Sequence, residues 1–289
     1  FCDPDLKKTF GYEAGALHQH FEFHAPRLAS EALLKACDLA SMKPSGIDAL
    51  LVCTCTGYLC PGLSSYISER LGLRPNAFLQ DLLGLGCGAA LPLLETARGF
   101  LAANPDATVA TIAVEISSAA FYLNDEPGVL ISLCLFGDGA AAAIWKAESQ
   151  GGQLRFQNFR TIHQPEHREK IRFVNAGGRL KNQLHREVPE LAAKAVSQLY
   201  QMSSNAPRKI IAHTGGRDVI EAIERAIPGQ KLSSTREILR QYGNISSPSV
   251  LAALEHSLAT SPHAESLWLT AFGAGFAAHS GELVASQDV

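Results

Sequence analysis

Apolar residues recur along this chain with two alternating periods. Short continuous apolar runs give way to stretches in which apolar residues return every three or four positions. The first pattern suits strands buried on both faces, and the second suits helices with one buried side. Glu31 to Met42 carries the helical period and ends before Pro44 and Gly46, and Ala49-Leu-Leu-Val-Cys53 is a buried-strand run. Leu63, Tyr66, Ile67 and Leu71 mark a second helix, closed by Gly72. Apolar positions 90, 93, 94, 97 and 101 make one helical face, stopped by Asn104-Pro105, and Thr108 to Ile116 is rich in β-formers. A strand over Ala140 to Trp145 follows the turn Gly137-Asp-Gly139.

A polar stretch from Glu148 to Lys181 reads as a connection between halves, after which the grammar repeats. A helix near Leu191 to Met202 precedes the strand Lys209-Ile-Ile-Ala212, the turn His213-Thr-Gly-Gly216 and a helix over Asp218 to Ile227. The expected class is α/β, with an N-terminal half over 1–150 and a C-terminal half over 151–289. The inference of duplication rests on pattern, because literal identity between the halves is weak.

Composition narrows the function classes. The 289 residues are 46% hydrophobic and 18% charged, enough to bury a sizeable core. A net charge of −3 gives no global attraction to nucleic acid or to an acidic membrane surface. No apolar run reaches the ~18–20 residues of a membrane-spanning helix. Phe1-Cys2-Asp3-Pro4 lacks Met and the regions of a signal peptide, so a trimmed N-terminus with an upstream segment missing is expected. The seven cysteines are odd in number and lie mostly in apolar runs, which favours a reducing cytoplasm over a disulfide framework.

Cys87 is the leading candidate for chemistry. Glycines at 84, 86 and 88 let the backbone bend tightly and clear space around the sulfur. The helix beyond it directs free N–H groups and a positive dipole end at the sulfur, which favours the thiolate. A small buried cysteine in a glycine-rich turn leaves the same pattern. Gly84-x-Gly86-x-x-Ala89 also fits a dinucleotide fingerprint formally, but Asp106 and Glu115 are misplaced for its acidic partner. Leu85 and Ala89 occupy the places where a hydrolase elbow needs glycine.

His213 stands at the C-terminal end of a buried strand, where α/β proteins present functional groups. A histidine satisfied by a turn hydrogen bond would occupy the same place. Asn244 lies in Tyr242-Gly-Asn-Ile-Ser-Ser-Pro248, ahead of a helix with Ser247 at its N-cap and Pro248 at its first position. Asn is also an ordinary turn residue. Cys53-x-Cys55 with Cys60 suggests a metal, but no histidine follows at ligand spacing, and no metal site is expected. His18-x-His20-x-Glu22-x-His24 would share one face of a strand, where a solvated face is the expected reading over a ligand row.

Five blocks occur in order: Leu85-Gly-Cys-Gly-Ala89, Leu135-Phe-Gly-Asp-Gly-Ala140, His213-Thr-Gly-Gly216, Tyr242-Gly-Asn-Ile-Ser-Ser-Pro248 and Ala271-Phe-Gly-Ala-Gly275. From about Ala49 to Gly281 the chain resembles the chalcone synthase family, the type III polyketide synthases of the thiolase superfamily. The resemblance implies a five-layered αβαβα fold of two similar halves, a homodimer, and Cys87, His213 and Asn244 as the catalytic set. Phe136 matches the gatekeeper phenylalanine, and Phe272 and Gly273 fall in the family's pocket-shaping loop. Cys55 stands where many plant members have a pocket threonine, Cys60 where a methionine crosses the dimer interface, and Ser132 where a small glycine lies. Ala274 replaces a proline of the loop. Basic N-terminal residues that hold coenzyme A phosphates in the family have no aligned counterpart.

The implied reaction is decarboxylative condensation of malonyl-CoA onto an acyl-CoA starter, with coenzyme A thioesters as substrates and no bound cofactor. An aliphatic starter is expected over a coumaroyl-type one, because an apolar wall lacking the threonine hydroxyl leaves phenolic hydroxyls without a partner. The rival readings are an initiating ketoacyl synthase that uses an acyl carrier protein and a non-catalytic acyl-binding subunit.

Overall fold

The computed structural model describes residues 11–123, 126–147, 154–203, 209–261 and 266–285. The N-terminal Phe1-Cys2-Asp3-Pro4 and the boundary expected at 150/151 lie outside the described residues. Helix α1 (Ala14–Leu39) precedes β1 (Ala49–Thr54), α2 (Leu63–Leu71), β2 (Phe78–Leu83), α3 (Ala90–Ala103), β3 (Val109–Glu115), α4 (Pro127–Leu135) and β4 (Gly139–Trp145). Then come β5 (Leu154–His163), β6 (Ile171–Ala176), β7 (Arg179–Leu184), α5 (Val188–Gln201) and β8 (Lys209–Ala212). The order closes with α6 (Arg217–Ala226), α7 (Ser233–Tyr242), α8 (Ser249–Thr260), β9 (Ser266–Gly273) and β10 (Ala277–Ala285).

The strands form two four-stranded sheets, ordered β2-β1-β3-β4 and β5-β10-β9-β8, beside a β6-β7 hairpin. In the first, β1 runs parallel to β3 and β3 antiparallel to β4; in the second, β8 runs parallel to β9 and β9 antiparallel to β10. This shared arrangement is the structural form of the repeat that the sequence carries only as pattern. It aligns β1 with β8 and α3 with α8.

Side-chain alternation in the strands builds the layers. Ala49, Leu51 and Cys53 of β1 face a central core containing buried residues of α3 and α8, while Leu50 and Val52 face α1. In β9, Leu267, Leu269 and Ala271 share that central core, while Trp268 and Phe272 pack with α5 and α6. Both sheets are therefore covered on both faces, which explains why β1 reads as a continuous apolar run. Each leucine of α3 buried in the centre, such as Leu91, Leu93 and Leu94, contributes roughly 1.5–3 kcal/mol. The result is the αβαβα layering expected from the resemblance.

Several expectations need correction. The polar stretch 148–181 is no simple connection: Leu154–His163 forms an edge strand paired with β10, and 171–184 forms the hairpin. Its alternating rather than continuous apolar pattern reflects a position at a sheet edge. His18, His20, Glu22 and His24 lie on a helix, not a strand, so they do not share one face. The His20 and His24 rings lie one turn apart, tilted by 50° with centroids 4.4 Å apart, and no metal-binding cluster occurs among the described residues. Helix α8 starts at Ser249 with Pro248 at its N-cap position, and Ser247 does not cap it. The Ser247 hydroxyl instead donates to Glu115, a buried acceptor on another element.

Candidate active site

Cys87 lies in a single 3₁₀ turn, Gly86–Gly88, that runs into α3. Gly84 and Gly86 adopt φ of 82° and 59°, conformations that other residues enter only with strain. The turn is pressed against the end of β9. A Cβ on Gly273 would sit 2.5 Å from the Leu85 carbonyl oxygen and 2.9 Å from the Cys87 nitrogen. Gly273 thus works by having no side chain, which allows the second sheet to hold the cysteine turn.

His213 follows β8 directly, and its backbone N–H donates to the Thr270 carbonyl at 2.9 Å. Its ring makes an edge contact with Phe272, with centroids 5.2 Å apart. Phe272 lies in the outer core of the second sheet, so it orients the histidine and is not among the residues lining the pocket beside Phe136. Asn244 pairs with the segment carrying Phe136. Its N–H donates to the Leu135 carbonyl at 2.8 Å, and Gly137 N–H donates back to the Asn244 carbonyl at 3.0 Å. Two residues more than 100 positions apart are thereby joined in one parallel bridge.

Ser246 ties the three candidates together. Its N–H donates to Asn244 Oδ1 at 2.8 Å, and its hydroxyl donates to Cys87 Sγ at 3.2 Å. Hydrogen bonding with the Ser246 backbone also acts on His213. With Asn244 Oδ1 engaged, the donor left on that side chain is Nδ2. The repeat places Cys87 and Asn244 ahead of the two central helices, and Cys55 and His213 just past β1 and β8.

A buried carboxylate, Glu115 at the end of β3, lies behind this site. It accepts hydrogen bonds from Cys55 N at 2.9 Å, Thr56 N at 3.1 Å, Thr56 Oγ1 at 2.9 Å, Thr54 Oγ1 at 3.2 Å and Ser247 Oγ at 2.5 Å. Ser246 Oγ and Cys55 Sγ reach its Oε1 at 3.3 Å each. Six donors from residues 54–56 and 247 converge on one carboxylate, with the Ser246 hydroxyl shared between it and Cys87, which offsets the cost of burying it. Sequence reasoning missed Glu115 and Ser246 as site residues. The available signal was a single acid closing the otherwise apolar strand TVATIAVEI.

The electrostatics correct one expectation. Burial pushes the Cys87 thiol up to about 12, with the Ser246 hydroxyl opposing and Glu115 reinforcing that shift. Burial also holds His213 down at about 3, against the Ser246 backbone contact. Desolvation outweighs the helix dipole here, so the resting pair is a neutral thiol and a neutral imidazole rather than an ion pair. The rate of Cys87 alkylation by iodoacetamide is therefore expected to climb steadily from pH 7 to pH 10. A plateau reached below pH 8 would reveal a preformed thiolate.

Phe136 and Ser132 line one small cavity with Phe121, Tyr122, Phe173 and Asn182. Its free interior is about 20 Å³, room for about one water molecule. The Ser132 hydroxyl donates to the Gly128 carbonyl at 2.6 Å and receives Asn182 Nδ2 at 2.8 Å, so it presents a satisfied oxygen. Cys55 is absent from this lining and faces Glu115 and Ser246 instead. Cys60 is exposed, on the loop before α2.

Comparison with known proteins agrees with this architecture. Residues 24–206 match the family model for FAE1/type III polyketide synthase-like proteins, and residues 165–277 match the C-terminal domain of chalcone and stilbene synthases. The chain is 27% identical over 285 residues to a 1,3,6,8-tetrahydroxynaphthalene synthase of Streptomyces griseus, covering 94% of this chain and 76% of that protein. It is 27% identical over 273 residues to a 3,5-dihydroxyphenylacetyl-CoA synthase of Streptomyces toyocaensis, covering 89% and 70%. The type III polyketide synthase domain of Steely1 from Dictyostelium superimposes with a TM-score of 0.88 at 21% identity, covering 98% of this chain and 83% of that one. The tetrahydroxynaphthalene synthase of Streptomyces coelicolor A3(2) gives 0.86 at 24% identity, covering 99% and 86%.

Proposed function

We propose that this chain, which belongs to the FAE1/type III polyketide synthase-like family, condenses malonyl-CoA with loss of carbon dioxide onto an acyl-CoA starter. The observation that supports the reading is Ser246, which hydrogen-bonds Asn244 through its N–H and Cys87 through its hydroxyl and whose backbone also acts on His213. Cys87 takes the acyl group from the starter, forming a thioester and releasing coenzyme A. Because the thiol is neutral at rest, its proton must leave as it attacks, and the neutral His213 imidazole is the nearby base.

Malonyl-CoA then loses carbon dioxide to give an enolate. Asn244 Nδ2 and His213 donate to its oxygen, and removing one such donor costs about 10²–10³ in rate. Phe136 supplies an apolar wall that disfavours the solvated carboxylate. The enolate attacks the acyl-Cys87 carbonyl and expels the Cys87 sulfur, ready for transfer or release of the extended chain. Coenzyme A thioesters are the substrates, and no resident metal or cofactor has a role in this scheme.

The rest of the reading concerns assembly and location. Strand β2 is a sheet edge with Phe78, Leu79 and Leu83 exposed, and the Gly62 loop that follows Cys60 packs on its Asp81. That face suits a homodimer contact, with Cys60 at the crossing point. A light-scattering mass equal to the 30.9 kDa monomer would reject it. A reducing cytoplasm is proposed as the location, because the six cysteines among the described residues are all free thiols.

The reaction is tested by incubation with malonyl-CoA and a panel of acyl-CoA starters, followed by mass spectrometry. Products with several ketide units are expected. Extension once, and only on a carrier protein, would indicate a ketoacyl synthase, and no product would indicate a binding role. Within the panel, hexanoyl- and octanoyl-CoA are expected to exceed coumaroyl-CoA in kcat/KM by about 10-fold, the range available to wall substitutions of ~1–3 kcal/mol. The apolar lining and the satisfied Ser132 hydroxyl support that order, and a clear preference for coumaroyl-CoA would reverse it.

A further inference from the structure

Cys55 and Cys87 come from different loops, one past β1 and one past β2, yet both sulfurs touch the same atom. Ser246 Oγ lies 3.4 Å from Cys55 Sγ and 3.2 Å from Cys87 Sγ. The sulfurs are thus at most about 6.6 Å apart, the sum of those two contacts. Turning one cysteine to a neighbouring staggered rotamer moves its sulfur by about 3 Å, so rotation at both, with the Ser246 hydroxyl displaced, can bring them to bonding distance. Cys87 is buried and Cys55 is half-buried, so a small oxidant can approach from the Cys55 side. Cys55 Sγ also donates to Glu115 Oε1 at 3.3 Å, which gives the second thiol an acceptor for its proton.

We infer that Cys55 and Cys87 form a reversible redox pair in which peroxide oxidation closes a disulfide across the site. In the first step, the Cys87 sulfur attacks hydrogen peroxide as its thiol proton leaves, the O–O bond breaks, the departing hydroxide takes that proton as water, and Cys87 sulfenic acid is formed. In the second, Cys55 sulfur attacks the sulfenic sulfur, its proton passes to the departing hydroxyl by way of Glu115, and a disulfide and a second water result. The two thiols are oxidised and one peroxide is reduced. The bond ties up the sulfur needed for acyl loading, and it spares Cys87 the irreversible step to sulfinic acid. The loss of activity, though not the bond itself, rests on Cys87 being the nucleophile.

The test treats the full chain with hydrogen peroxide, maps peptides without reduction, and assays condensation before and after dithiothreitol. A Cys55–Cys87 linked peptide is expected, together with loss of at least nine-tenths of activity and its recovery on reduction. Cys55→Thr, compared with its own untreated activity, is expected to be inactivated without recovery and to carry sulfinic acid at Cys87. Inactivation without the linked peptide, or equal recovery in Cys55→Thr, overturns the redox pair. A linked peptide with activity retained supports the pair and overturns Cys87 as the nucleophile.

Discussion

Cys87→Gln is expected to lose condensation by at least ~10³-fold while malonyl-CoA decarboxylation continues. The amide imitates the acylated sulfur in size and neutrality, so the pocket around Asn244 and His213 keeps its shape while covalent loading becomes impossible. The choice of cysteine is not trivial, because Cys55 lies on the same serine hydroxyl. Geometry favours Cys87: it sits in the turn that Gly86, Gly88 and Gly273 hold open, ahead of a 14-residue central helix. Cys55 instead donates to Glu115. Mass mapping of the trapped starter decides between them. An acyl group found on Cys55, or condensation surviving in Cys87→Gln, would reject the assignment.

Glu115→Leu is expected to destabilise the fold by about 3–5 kcal/mol, the range for removing one partner of a buried charged network. The side chain is fully buried, and its loss would strand the hydroxyls of Thr54, Thr56 and Ser247 and the N–H groups of Cys55 and Thr56. In a chain of this size that corresponds to a fall in Tm on the order of 10 °C. Glu115→Gln keeps the shape and one acceptor oxygen, so its loss should be smaller. Ser246 would also lose a partner, and any folded Glu115→Gln protein should show slower loading of Cys87. A melting temperature for Glu115→Leu within 2 °C of the parent would show that the network carries little of the stability.

The elements that the sequence by itself determined are those whose burial is set by local pattern. Helix α3 follows from apolar positions 90, 93, 94, 97 and 101, and β1 from a run with no polar position, because each period can place its apolar residues on a buried side in only one conformation. The glycine turns around Cys87 and His213 were legible for the same reason: backbone geometry there depends on residues a few positions apart. Cys87, His213 and Asn244 were each legible locally and then gathered by the order of five motifs, whereas Phe136 entered only through the family resemblance.

Tertiary structure decided what those residues do to one another. Ser247 reads as a helix cap locally, but its hydroxyl has a stronger acceptor in Glu115, 132 positions away. Glu115 looked like a misplaced acid because its donors come from β1, its following loop and the turn before α8, which no window along the chain contains. The ionisation of Cys87 also differs from what local pattern favours. A helix N-terminus is visible in sequence and favours a thiolate, whereas burial is a property of the assembled layers and favours the neutral pair more strongly. The same holds for Gly273, whose missing side chain matters only because β9 and the Cys87 turn approach within van der Waals contact at that point. Local pattern sets which segments are helix or strand, and desolvation and long-range hydrogen bonds, which exist only after packing, set the chemistry.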